Sequence, residues 1–218
     1  MAYGNGMHKL NPVEDGLVLS LLGAYCPAPK AILDAGCGWG DRLAVLHAAL
    51  PGTALCGIDR DADNAKAARE RCPSAEIRTG DLCTLPWAEG TFDAALCECT
   101  LSLTDDPAAA LASLYRALRC GGVLLLGDLC ASGGDEAVAS GCGTVRRVFD
   151  RARLEQCLAK AGFAVREHRD CREALLTMAA QMIFDGSFCT CVDAGTAQAL
   201  RKRRAGYALW VLEKEGEP

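Results

Sequence analysis

Residues 32–40, Ile-Leu-Asp-Ala-Gly-Cys-Gly-Trp-Gly, constrain this chain more than any other stretch. A short apolar run ends in an acid, Asp34, and then in Gly36, Gly38 and Gly40, with a helical pattern following at once. Small residues here let the backbone turn sharply from a strand into a helix and lie against a ligand. A dinucleotide fingerprint places its third glycine one position later, where Asp41 stands. A carboxylate at the strand end also repels a pyrophosphate and attracts a cation. A ligand that carries positive charge is the better match.

The next two strands repeat the pattern. Ala54-Leu-Cys-Gly-Ile-Asp59 is a second apolar run ending in an acid, 19 residues after Gly40. That is the spacing at which a carboxylate meets ribose hydroxyls in doubly wound folds. Glu76-Ile-Arg-Thr-Gly-Asp81 ends a third short strand in an acid, followed by Leu82, which suits the edge and face of an adenine. S-adenosylmethionine (SAM) brings an adenosine, a sulfonium and an ammonium, and so fits all three acids. The plainer alternative is that Asp59 and Asp81 only cap the helix or turn that follows. From about Lys30 to Asp128 the chain resembles the class I SAM-dependent methyltransferases. The resemblance implies a doubly wound, mostly parallel seven-stranded α/β sheet, with helices on both faces and an antiparallel last strand. It also implies SAM as cofactor, held by the loop residues Asp34, Gly36, Cys37, Gly38 and Gly40 and by Asp59, Arg60, Asp81 and Leu82.

The remaining pattern alternates in the same way. Strands are expected at 31–36, 53–58, 76–79, 92–98, 122–128, 163–170 and 207–214, and helices at 41–50, 61–72, 107–119, 150–161, 173–184 and 194–204. Asp106-Pro107 starts a helix well, because proline is tolerated in the first turn. Such alternation argues a parallel sheet covered by helices. Residues 130–145 form the longest loop-like stretch, and loops of that length are usually functional. Residues 1–29 read as an N-terminal segment and a candidate lid, and residues 30–218 as the methyltransferase domain.

A length of 218 residues suits one well-buried domain. A net charge of −5 argues against a nucleic-acid surface, and the one basic cluster, Arg201–Arg204, reads as a solvated helix end. No run is long and apolar enough for a membrane span, and the first residues lack a signal peptide's apolar core. A cytoplasmic protein is expected. Its fourteen cysteines are scattered rather than spaced as a disulfide framework, so free thiols are expected. Cys56, Cys120 and Cys157 sit within apolar patterns and read as core.

The strand Phe92–Cys99 runs toward the carboxyl ends of the strands, where open α/β sheets bind ligands. In an extended chain Cys97 and Cys99 share one face and Glu98 takes the other. Cys142 lies in a Gly-flanked loop after the fifth strand, and Cys189-Thr-Cys191 forms a second Cys-x-Cys. The spacing lacks the paired Cys-x2–4-Cys elements of a closed zinc site. Residues 96–103 and 118–128 are similar to the arsenite methyltransferases. That likeness implies Cys97, with Cys99 beside it, and Cys142 as thiolates that bind trivalent arsenic. Leu43 stands where members often carry a further cysteine. For a hydroxyl or amine acceptor, Glu98 is the candidate base. Trp39 either borders the methionine part of SAM or packs on the next helix. Together these readings give a SAM-dependent methyltransferase for a small acceptor, a thiol-bound metalloid such as arsenite being one case. The rival is a non-catalytic, cysteine-rich metal- or nucleotide-binding protein on the same fold; a nicotinamide-dependent oxidoreductase is disfavoured by Asp34 and Asp41.

Overall fold

A computed structural model of the chain describes residues 11–131, 136–137, 147–184 and 205–215. Its centre is a sheet in which β1 (Ala31–Ala35) pairs in parallel with β2 (Ala54–Asp59) and β4 (Phe92–Glu98). β3 (Glu76–Thr79) extends one edge, and β5 (Leu118–Ala131) pairs in parallel with β4. A two-residue strand, β6 (Glu136–Ala137), pairs antiparallel with β7 (Arg147–Asp150), and β7 runs parallel to the last two residues of β5. β9 (Gly206–Lys214) is antiparallel between β5 and β8 (Phe163–Asp170). Without that ribbon the seven main strands run β3-β2-β1-β4-β5-β9-β8, mostly parallel with an antiparallel last strand in sequence, as expected.

Both faces of the sheet are covered, which is why its strands read as unbroken apolar runs. Side chains alternate between two cores. Leu33, Ala95, Cys97, Leu126 and Trp210 point to one, under α4 (Pro107–Ala117) and α5 (Arg151–Lys160). Ile32, Leu96, Leu125 and Leu209 point to the other, under α1 (Asp15–Tyr25), α2 (Asp41–Ala49) and α3 (Ala62–Arg71). The chain between β8 and β9 begins with α6 (Arg172–Phe184). Among the described residues no helix is long and apolar enough to cross a membrane.

Two details differ from expectation. Residues 11–29 contain α1, whose Val18, Leu21 and Leu22 are buried in the second core. Cys120 and Cys157 are exposed rather than core. Cys120 sits where β5 bulges, the pairing with β4 jumping from Phe92–Leu118 to Ala94–Val123. Cys157 lies beside the buried stripe of α5, which runs through Leu154 and Leu158. The eleven described cysteines are free thiols. Residues 1–10, Cys142, Cys189, Cys191 and the expected helix 194–204 lie outside the described residues.

Candidate active site

The glycine loop is built where β1 hands the chain to α2. Gly36 and Cys37 donate their backbone N–H groups to the Ile58 carbonyl, at 2.8 and 3.0 Å, which fastens the loop to β2. Gly36 has φ +84°, and a Cβ placed on it would lie 2.1 Å from Thr100 Oγ1. The turn after β4 therefore occupies the space a side chain would need, and only glycine fits. Gly38, at φ +52°, has open space where a Cβ would stand. Its N–H donates to Asp59 Oδ2 at 2.9 Å. The carboxylate ending β2 thus shapes the loop ending β1.

Asp59 has a second role in the same neighbourhood. Its Oδ1 accepts from Asp61 N at 2.9 Å and from Asn64 Nδ2 at 3.4 Å, and Asn64 Oδ1 accepts the Trp39 indole N–H at 2.7 Å. Trp39 is thereby tied to α3. The cap of α3 is Asp61, which accepts from Asp63 N and Asn64 N. Asp81 does cap: its Oδ1 accepts Cys83 N at 2.8 Å, while Leu82 packs into the first core. Arg60 reaches from the end of β2 to the Leu103 carbonyl at 3.3 Å. Cys37 contributes backbone only, since its thiol is buried in the second core above Gly57.

Asp34 is the informative member of the set. It is 5% exposed, and its Oδ2 has no hydrogen-bond partner among the described residues. Buried polar atoms are nearly always paired, so an orphan of this kind marks a place for a missing group. Burial, then the Glu98 carboxylate, pushes the Asp34 carboxyl up to about 7; Arg42 opposes this and Asp59 adds to it. A ligand cation is the partner that would hold Asp34 ionised.

The thiols and Glu98 do not form the rim arrangement read from the sequence. Cys97 is fully buried in the first core, and burial together with Asp128 and Asp34 pushes its thiol well up. Cys99 does not share its face. The alternation stops at Glu98, because Cys99 turns into the left-handed region at φ +53° and packs with the second core. There its Sγ donates to Tyr207 Oη at 3.6 Å, and burial and Asp128 push the thiol up. Glu98 is 7% exposed and grips Arg42 with both oxygens, at 2.7 and 2.8 Å, so it is occupied as an ion-pair partner. Arg42, Asn64 and Thr100 were not legible as site residues. Each acts through a partner distant in sequence, although an arginine just after a glycine loop is a signal that invites the question.

A doubly wound sheet with three acids at successive strand ends, a close-approach glycine loop and an unmatched buried carboxylate defines a site for a cationic nucleoside cofactor. Residues 33–126 match the methyltransferase domain family. An uncharacterised 37.1 kDa protein of transposon TN4556 from Streptomyces fradiae is 39% identical over 103 residues, covering 45% of this chain and 30% of that protein. The malonyl-[acyl-carrier protein] O-methyltransferase of Laribacter hongkongensis (strain HLHK9) is 29% identical over 153 residues, covering 63% and 52%. The chain thus spans about half or less of the length of these curated relatives. The geranyl diphosphate C-methyltransferase of Streptomyces coelicolor A3(2), solved with Mg2+, geranyl diphosphate and S-adenosyl-L-homocysteine, shares the fold. Its TM-score is 0.76 at 17% identity, over 92% of this chain and 76% of that one. Residues 33–126 thus match a methyltransferase domain, and the fold is shared with a geranyl diphosphate methyltransferase solved in complex with SAM.

Asp34 makes the site pH-dependent, and the sign follows from its raised pKa. Below its ordinary value of 3.8 the carboxyl is protonated folded or unfolded. As pH rises from about 4 to about 7 the unfolded chain gives up the proton first, so the SAM-free protein loses stability across that window. The cofactor's cation favours the ionised form, so SAM affinity should rise as pH rises through about 7. Titration calorimetry across neutrality checks this; an affinity independent of pH would detach Asp34 from the cation.

Proposed function

We propose that this protein transfers the methyl group of SAM to a small-molecule acceptor that brings its own nucleophile. The observation that carries the reading is the orphaned Oδ2 of buried Asp34, beside the Asp59-anchored glycine loop. SAM, when bound, supplies a methyl group activated by a sulfonium charge. Asp34 would face its ammonium, Asp59 would accept from its ribose hydroxyls, and Asp81 and Leu82 would border its adenine. The protein's part in an in-line displacement is to hold nucleophile, methyl and sulfur aligned and exclude water, and such positioning supplies much of the acceleration. A cytoplasmic location goes with this reading.

Arsenite, as a thiol-bound acceptor, is the weaker case. A soft metalloid needs thiolates, whereas Cys97 is sealed in the core and Cys99 is held protonated by burial. The test is turnover of labelled SAM with reduced thiol and a panel of acceptors that includes arsenite. Turnover of an organic acceptor is expected. The Cys97→Ser variant should keep it while losing roughly 1–3 kcal/mol of stability, the cost of a poorly partnered hydroxyl in an apolar core. Arsenite-only turnover that disappears in Cys97→Ser would establish the metalloid instead. Stoichiometric metal without any SAM turnover would favour a non-catalytic binding protein.

A further inference from the structure

We infer that Arg42 is a positioning residue of the cofactor site, which takes Glu98 out of play and leaves Asp34 as the carboxylate that meets the ligand's cation. Arg42 is in the first turn of α2, directly after the glycine loop, and is 2% exposed. Its Nε and Nη2 donate to the two oxygens of Glu98 at 2.7 and 2.8 Å. Nη2 also donates to the Val13 carbonyl at 3.2 Å, and Nη1 pairs with Asp15. The guanidinium therefore joins the entry to α1, the start of α2 and the end of β4.

Asp34 and Glu98 belong to the same face of the sheet. Asp34 is in register with Leu96 on β4, and Glu98 stands two residues further on. Among the described residues these two and Asp15 place three carboxylates around one guanidinium. A forked, planar donor satisfies a carboxylate best when both of its oxygens are engaged. Arg42 makes that contact with Glu98, and Asp34 Oδ2 is left without a partner. Asp34 Oδ2 is thus, among the described residues, an unpartnered carboxylate oxygen beside the glycine loop. Without the Arg42–Glu98 pairing, Glu98 would compete for the ligand's cation, or Arg42 would compete for Asp34. Through Val13 and Asp15 the same side chain also couples residues 13–15 to the cofactor site.

This inference rests on SAM as cofactor, so wild-type SAM binding is measured first, and its failure would fall on that assignment alone. Equilibrium SAM affinity and ligand-free Tm are then compared for Glu98→Gln, Arg42→Met and the Arg42→Met/Glu98→Gln double variant. In Glu98→Gln the guanidinium loses its charge partner and turns toward Asp34, so SAM should bind about tenfold more weakly, within the range by which one group couples to a neighbouring binding site. The double variant removes the competing cation as well and should recover most of that affinity. A merely structural pair predicts the reverse order, with Glu98→Gln nearly normal, because glutamine still accepts a hydrogen bond. Wild-type affinity in Glu98→Gln, or a double variant that binds no better than Glu98→Gln, would overturn the inference. If Glu98→Gln does not fold, the double variant against Arg42→Met decides. Arg42→Met leaves Glu98 unpaired, so it should bind SAM with a pH dependence shifted from wild type, and the double variant should not. Equal pH profiles in those two would overturn it.

Discussion

Gly36→Ala should lose both cofactor binding and a large share of stability. A Cβ at this position would lie 2.1 Å from Thr100 Oγ1, 2.4 Å from its Cγ2 and 2.7 Å from its Cβ. Neither neighbour can yield cheaply. Gly36 N is fastened to the Ile58 carbonyl, and Thr100 Oγ1 donates to the Glu98 carbonyl at 2.8 Å. Overpacking costs about 1–3 kcal/mol, and holding an alanine at φ +84° adds about 1–2 kcal/mol. The expected loss is roughly 2–5 kcal/mol. Thr100→Gly removes the clash but not the dihedral cost, so the Gly36→Ala/Thr100→Gly double variant should regain part of the Tm. Thermal denaturation with and without SAM reads both effects. An unchanged Tm in the single variant would mean that the turn after β4 does not fix the loop.

Asp59→Ala removes two supports of the cofactor site. The carboxylate anchors the Gly38 N–H, and under the proposed function it also accepts from the ribose hydroxyls of SAM. Hydrogen bonds to a charged group contribute about 1.5–3 kcal/mol each. SAM affinity should therefore fall by tenfold at least, and by about a hundredfold if both supports are lost. Asp59→Asn keeps an oxygen that can hold Gly38 but turns the other group into a donor, so its affinity should lie between the two. The protein should stay folded in both, since Asp59 lies at a strand end and outside both apolar cores. Calorimetric titration of a folded Asp59→Ala variant with wild-type affinity would remove the ribose from this carboxylate.

Much of this site could be read from the chain because its parts lie where local rules are strong. A parallel strand buried on both faces must be apolar, so an acid within or just after it stands out, as Asp34, Asp59 and Asp81 do. The glycines between Asp34 and α2 mark a turn that few other residues can make. The long-range contacts were not legible. Arg42 lies 56 positions from Glu98 and 27 from Asp15, and nothing in the pattern of α2 distinguishes an arginine folded inward from one in solvent. Glu98 read as a rim base for the same reason: its charge was visible, while its partner was not.

The cysteines show the boundary most clearly. Strict alternation along β4 assigns Cys97 and Cys99 to one face, and it holds from Ala94 through Cys97. One backbone dihedral at Cys99 then sends the second thiol into the opposite core, toward Tyr207 on β9. By itself the sequence determined the order of strands and helices, the doubly wound sheet and the three strand-end acids, because periodicity, burial and turn chemistry act over a few residues. Only the tertiary structure decided which carboxylate is paired, which is left for a cation and which thiols are sealed away. Those outcomes depend on how a few charges and side chains, brought together from distant parts of the chain, share a small buried space.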